Sequence, residues 1–172
     1  MSLQFSGAIF PGMATPSPYR SLPAVRRIAL LTHVFSANRE TRALFIQRLV
    51  ARGGGFRAVT LQSWPVDRLA REVVRANAET SQDELDLLQL LYVDLEPSIQ
   101  ITFLDAAGVR HEMGKMDETL SPPYADAAAV SLAAAAVRDQ HGVDGVRYLR
   151  TLARYSPDGW PGIDLFVAGI DP

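Results

Sequence analysis

SIQITFLDAAGVRHEM, residues 98–113, is the stretch on which the fold class turns. Ile99, Ile101 and Phe103 alternate with Gln100 and Thr102, Asp105-Ala106-Ala107-Gly108 supplies turn chemistry, and Val109 to Met113 returns. Side chains two residues apart fall on one face of a strand, so this spacing predicts a β-hairpin. Its apolar face packs Ile99, Ile101 and Phe103 against helices. His111 shares a face with Val109 and Met113, which predicts a half-buried, structural histidine.

Just upstream, LDLLQLLYVDL at 85–95 reads as a helix opened by a capping box, Ser81 with Glu84, and closed by Pro97. Leu85, Leu87, Leu88, Leu91, Tyr92 and Leu95 fill half of its circumference, while Leu90 and Val93 break the arc of Asp86, Gln89 and Asp94. A helix this apolar needs cover on two sides, from its own domain or from another copy of the chain. Before it, Ser63-Trp64-Pro65 starts a helix in which Val66, Leu69, Ala70, Val73 and Val74 face inward and Arg68, Arg71, Glu72 and Arg75 outward. Ile28–Thr32 and Phe56–Leu61 read as strands. The helix between them, capped by Ser36 or Asn38, carries Ala43, Ile46, Leu49 and Val50 and stops at Gly53-Gly54-Gly55, which makes a βαβ unit.

Downstream of the hairpin, Pro122-Pro123 precedes an alanine-rich helix from Tyr124 to Gln140 that Gly142 stops. Its small side chains admit close approach of a neighbour. Asp144 caps a last helix carrying Val146, Leu149, Leu152 and Ala153. Gly159-Trp160-Pro161-Gly162 turns the chain into a strand at Ile163–Ala168. The expected fold is mixed α/β or α+β, about five helices packed on a mixed sheet of about five strands in the order βαβααββααβ.

Residues 1–24, rich in proline, serine and glycine, form an N-terminal arm, and 25–172 a single globular domain. A chain of 172 residues buries roughly 70% of its unfolded surface. Pro11 and Pro16 interrupt any secretory leader, and no apolar run approaches the ~20 residues of a membrane span, so a cytoplasmic protein is expected. The absence of cysteine excludes disulfides, a thiol nucleophile and thiolate metal sites. A net charge of −2 exerts no overall pull toward nucleic acid or an anionic membrane. Lys115 stands alone beside sixteen arginines, which reads as codon bias rather than as many functional forks.

Familiar chemistry is missing. GxxxxGK[ST] and GxSxG do not occur, and the glycine triplet at 53–55 follows a helix instead of opening one. His33, His111 and His141 are too scattered for a local zinc site, so neither metal nor cofactor is expected. The candidate ligand-binding residues are His33, Ser36 and Asn38, at the carboxyl end of the first strand and the entrance to a helix, where open α/β sheets place ligands. There His33 is a general base and Ser36 a nucleophile or binding hydroxyl. Arg147, Arg150 and Arg154 form a solvated basic face, and Asp94, Glu96, Asp105, Asp117 and Glu118 are solvated loop ends. Trp64 and Trp160, each beside a proline, read as turn anchors. These observations point to a non-catalytic interaction or assembly protein, partnered by itself or another protein, with helix 81–95 as the seam of a homo-oligomer. The alternative is a small-molecule-binding protein or enzyme with its site around His33.

Overall fold

The computed structural model describes residues 17–170, and among these the chain is helical. It forms eight α-helices, and the longest connection between two of them, residues 107–126, carries the β structure. The β structure among the described residues is two strands of two residues each, β1 (His111–Glu112) and β2 (Lys115–Met116), antiparallel with His111 opposite Met116. The expected mixed α/β or α+β sheet, in the order βαβααββααβ, is therefore wrong. The chain divides into two compact units, Tyr19–Leu87 and Leu88 onward.

In the first unit a buried turn carrying Tyr19 and Leu22 leads into α1 (Ala24–Ala37). The strand expected at 28–32 lies inside this helix. Leu30, Leu31 and Phe35 are its buried residues, and a short apolar run suits a buried helix as well as a buried strand. Asn38 breaks the helix and caps the next, α2 (Arg39–Ala51), accepting a hydrogen bond from the Thr41 amide at 3.0 Å. Gly53, at φ +75°, then turns the chain. The strand expected at 56–61 is replaced by a short helix, α3 (Ala58–Gln62).

Helix α4 (Val66–Ala76) has the expected amphipathic face, with Leu69, Ala70, Val73 and Val74 buried against α1. Asn77, left-handed at φ 47°, ends it. The capping box of α5 (Ser81–Gln89) sits one residue early. Thr80 Oγ1 accepts from the Asp83 amide and Asp83 accepts from the Thr80 amide, which releases Glu84 for burial.

In the second unit a π-helical segment, Leu90–Leu95, precedes α6 (Ser98–Ala106). Leu88, Leu91 and Tyr92 are buried, but Leu95 is 41% exposed. Helix α6 occupies the first arm of the expected hairpin. Ile99, Phe103 and Leu104 are buried at i, i+4 and i+5, a helical face that the Ile99-Ile101-Phe103 alternation conceals. Gly108, at φ +69°, ends α6: its amide donates to the Asp105 carbonyl and that of Val109 to Leu104, a Schellman closure.

Asp126 caps α7 (Ala127–Tyr155), accepting from the Ala129 amide at 2.8 Å. Gly142 leaves the helical region at φ 55°, ψ −129°, where the sequence predicts a stop. A Cβ at Gly145 would lie 2.5 Å from the Val137 carbonyl oxygen. Eight residues of straight helix rise about 12 Å, so the chain reverses at Gly142 and its two helical halves cross at Gly145. Helix α8 (Ile163–Ala168), where a strand was expected, packs on α7. The core here is aromatic: Tyr148 meets Tyr92 at 5.0 Å and Phe103 at 5.8 Å between centroids, and Trp160 meets Phe103 at 4.9 Å and Tyr124 at 5.1 Å. Trp160, 2% exposed, anchors its turn as expected.

Candidate functional site

The structure removes the strand end on which the His33 site was built. His33 lies on the exposed side of α1, one turn from Ser36. The Ser36 hydroxyl donates back to the Thr32 carbonyl at 2.8 Å, and the Asn38 side chain serves the first turn of α2. Both polar groups therefore have local backbone partners in consecutive helices.

His111 is tied down at both ring nitrogens. Nδ1 accepts from the Gly114 amide at 3.2 Å, which leaves the hydrogen on Nε2 to donate to Asp105 Oδ1 at 3.0 Å. With neither nitrogen offered to a substrate, this histidine braces the β1–β2 turn. An open concavity of about 610 Å³ lies along the hairpin, lined by His111, Met113 and Met116 with Arg110, Glu112 and Glu118 among its charged groups. Beside them, hydrogen bonds from the Thr119 hydroxyl (2.6 Å) and amide (2.9 Å) hold the Asp117 carboxyl below its ordinary range. His141 links α7 to α6 through Thr102 Oγ1 at 3.0 Å. Among the described residues, no group of three metal-binding side chains converges.

A buried polar network occurs instead in the Tyr19–Leu87 unit. The Tyr19 hydroxyl donates to Glu79 Oε1 at 3.0 Å, and Glu79 is only 4% exposed. Its Oε2 accepts no hydrogen bond from any described residue. Burial, then the charge of Glu79, pushes the Tyr19 phenol well above its ordinary range. Arg20 spans the α4–α5 connection, donating to Glu84 Oε1 at 2.6 Å, Asn77 Oδ1 at 3.0 Å and the Glu79 carbonyl at 3.4 Å. These contacts pin the N-terminal turn to the unit.

The exposed large apolar side chains of that unit are Val25 on α1, Val59 on α3, and Leu44 and Val50 together on α2. Phe45, Ile46 and Leu49 are buried, whereas Leu44 is 52% and Val50 36% exposed. At 100° per residue, Glu40, Ala43, Leu44, Gln47, Val50 and Ala51 fall within about 120° of the outer face. Glu40 and Gln47 are its polar members, and Ala43, Leu44, Val50 and Ala51 make up the apolar part of this outer face. Ala43 and Val50, expected on the inner face, lie on this outer one. Leu90 and Val93, the expected seam of helix 81–95, are each half-buried and offer less free surface. Leu132 on α7 is exposed too, but it is surrounded by alanines and has no second large side chain on its face.

The arginines also have structural partners that their abundance did not foretell. Arg42 donates to the carbonyls of Gln62 and Trp64, at 3.1 and 2.9 Å, and Arg52 to that of Ala76 at 2.5 Å. Arg48 pairs with Asp83. Arg68 lies 4.0 Å over the Trp64 ring, which meets Phe56 in a T-shaped pair at 5.2 Å between centroids. Of the expected basic face on the last helix, Arg147 is paired with Asp144 at 2.6 Å. Among the described residues, no helix is long and apolar enough to cross a membrane. No protein-family model, curated protein or solved structure matches this chain.

Proposed function

We propose that this is a non-catalytic interaction protein that assembles with further copies of itself, using the outer face of α2 as its contact surface. One observation carries the reading: α2 buries Phe45, Ile46 and Leu49 in its own unit and still presents Leu44 and Val50 to solvent. A helix that merely roofs a core has a polar outer side. The engagement of His111, Ser36 and Asn38 with backbone and carboxylate partners gives further support, since it leaves those polar groups without a free catalytic role.

The strength of the contact follows from its size. Thirteen residues of helix extend about 20 Å, too little on one face to supply the ~1,200 Å² of a stable standard interface. Association is therefore weak and concentration-dependent unless flanking residues join. Leu44→Asp is the test, read as mass by light scattering after gel filtration over a wide range of loading concentrations. The native chain gains mass as concentration rises, and the variant stays monomeric while melting within about 1 °C of native. A native chain monomeric throughout, or a variant that associates equally well, would overturn the reading.

A further inference from the structure

The small net charge conceals an internal division. The Tyr19–Leu87 unit holds eleven arginines against seven carboxylates, net +4, whereas residues 88–170 hold six cations against eleven carboxylates, net −5. Within the first unit the excess is not evenly spread. Arg20, Arg48, Arg71 and Arg75 each meet a carboxylate. Arg42 and Arg52, bonded to carbonyl oxygens, keep their charge uncompensated there, as does Arg68 against Trp64. Arg39 and Arg57 are exposed and have no carboxylate partner among the described residues. Positive charge is thus in excess at the start of α2, where Arg39 and Arg42 flank the exposed Glu40, and around the α3–Trp64 segment that packs on α2. In the second unit, Glu112, Glu118, Asp158 and Asp164 are exposed and meet no cation among the described residues.

We propose that the surface received by the α2 face is the acidic Leu88-onward unit of a second copy, docked head to tail. This rests on the self-association reading above and names its partner surface. Opposite charges favour the contact and speed encounter. A two-fold pairing of one α2 face with another would instead bring two units of the same net positive charge together, and like charges oppose it. The contact is heterologous, so it leaves an unused α2 face and an unused acidic unit at the ends of every dimer. Assembly then continues past two copies unless a ring closes.

Sedimentation of the full chain across a dilution series, at low salt and at about 0.5 M salt, tests this, because a Debye length near 4 Å screens exposed charges. Expected is growth beyond dimer at low salt and at least tenfold weaker association at high salt. A chain with Arg39→Glu and Arg57→Glu should lose low-salt association to the same degree. Mixing it with a chain in which Glu112, Glu118, Asp158 and Asp164 are all changed to Lys should give complexes that neither forms alone. Association that is indifferent to salt and to both charge reversals would overturn the acidic partner but leave α2 as the contact. A mass that stops at dimer and survives charge reversal points to α2 against α2, and also overturns it. A monomer under every condition would sink the self-association reading itself. If the Arg39 and Arg57 changes abolish binding of a single-stranded oligonucleotide without altering self-association, the basic side serves nucleic acid and the proposal fails.

Discussion

Tyr19→Phe isolates the buried hydrogen bond that fixes the N-terminal turn. Tyr19 is 0% exposed, and phenylalanine keeps its ring, so no cavity opens and the packing contribution is conserved. What is lost is the 3.0 Å bond to Glu79 Oε1. A hydrogen bond to a charged group contributes about 1.5–3 kcal/mol. The upper end applies because Glu79 Oε2 already accepts none from the described residues, so the variant leaves a buried carboxylate with neither oxygen bonded by a described residue. The expected loss is about 3 kcal/mol at pH 7, measured by urea unfolding followed by far-UV circular dichroism with an unchanged slope. Replacing both partners, Tyr19→Phe with Glu79→Leu, removes the unsatisfied charge as well. That double variant should be more stable than the sum of its parts by at least about 1 kcal/mol. A loss below about 0.5 kcal/mol in Tyr19→Phe, or strict additivity, would refute this account of the network.

Two further outcomes follow from the interior. Gly145→Ala forces a Cβ to 2.5 Å from the Val137 carbonyl oxygen and 3.1 Å from His141 Cβ, so the two halves of α7 must separate, at about 3 kcal/mol; a variant that melts like native protein contradicts the reversal at Gly142. Burial raises the phenol pKa of both Tyr19 and Tyr148, with the Glu79 charge adding at Tyr19 and Tyr92 at Tyr148. Unfolded tyrosines ionise near pH 10 while these two stay protonated in the fold. The stability they contribute is complete below pH 10 and falls above it by about 1.4 kcal/mol per pH unit for each. Tyr148→Phe should shallow that decline in an alkaline denaturation series, and an unchanged slope would place Tyr148 in contact with solvent.

The helical pieces that the sequence revealed are those with punctuation. Asn38, Gly53 and Gly142 act where their chemistry places them, and α4 shows its inner face in Leu69, Ala70, Val73 and Val74. The misread segments are short apolar runs. Ile28–Thr32 and Ile163–Ala168 have too few residues to display a period, and burial on a helix suits them equally. In α6 the isoleucines and threonine favour a strand locally, yet Ile99, Phe103 and Leu104 find their core contacts only at helical spacing. The His33 candidate depended on the first of those strands and lost its frame with it. The outer face of α2 was present in the sequence as Leu44 beside Phe45, but selecting Ala43, Ile46, Leu49 and Val50 as one face hid it. Counting charge over the whole chain likewise averaged away the opposite signs of its two units.

The contact surface itself is tested most directly by photo-cross-linking from position 44. A photoreactive amino acid replaces Leu44, and equal amounts of ¹⁴N- and ¹⁵N-labelled chains are mixed before irradiation. Cross-linked peptides that pair one isotope with the other, joining α2 to residues beyond Leu88, are the expected result. Cross-links confined to peptides of a single isotope, or none above the yield of a label at solvent-exposed Ser36, would contradict assembly through α2.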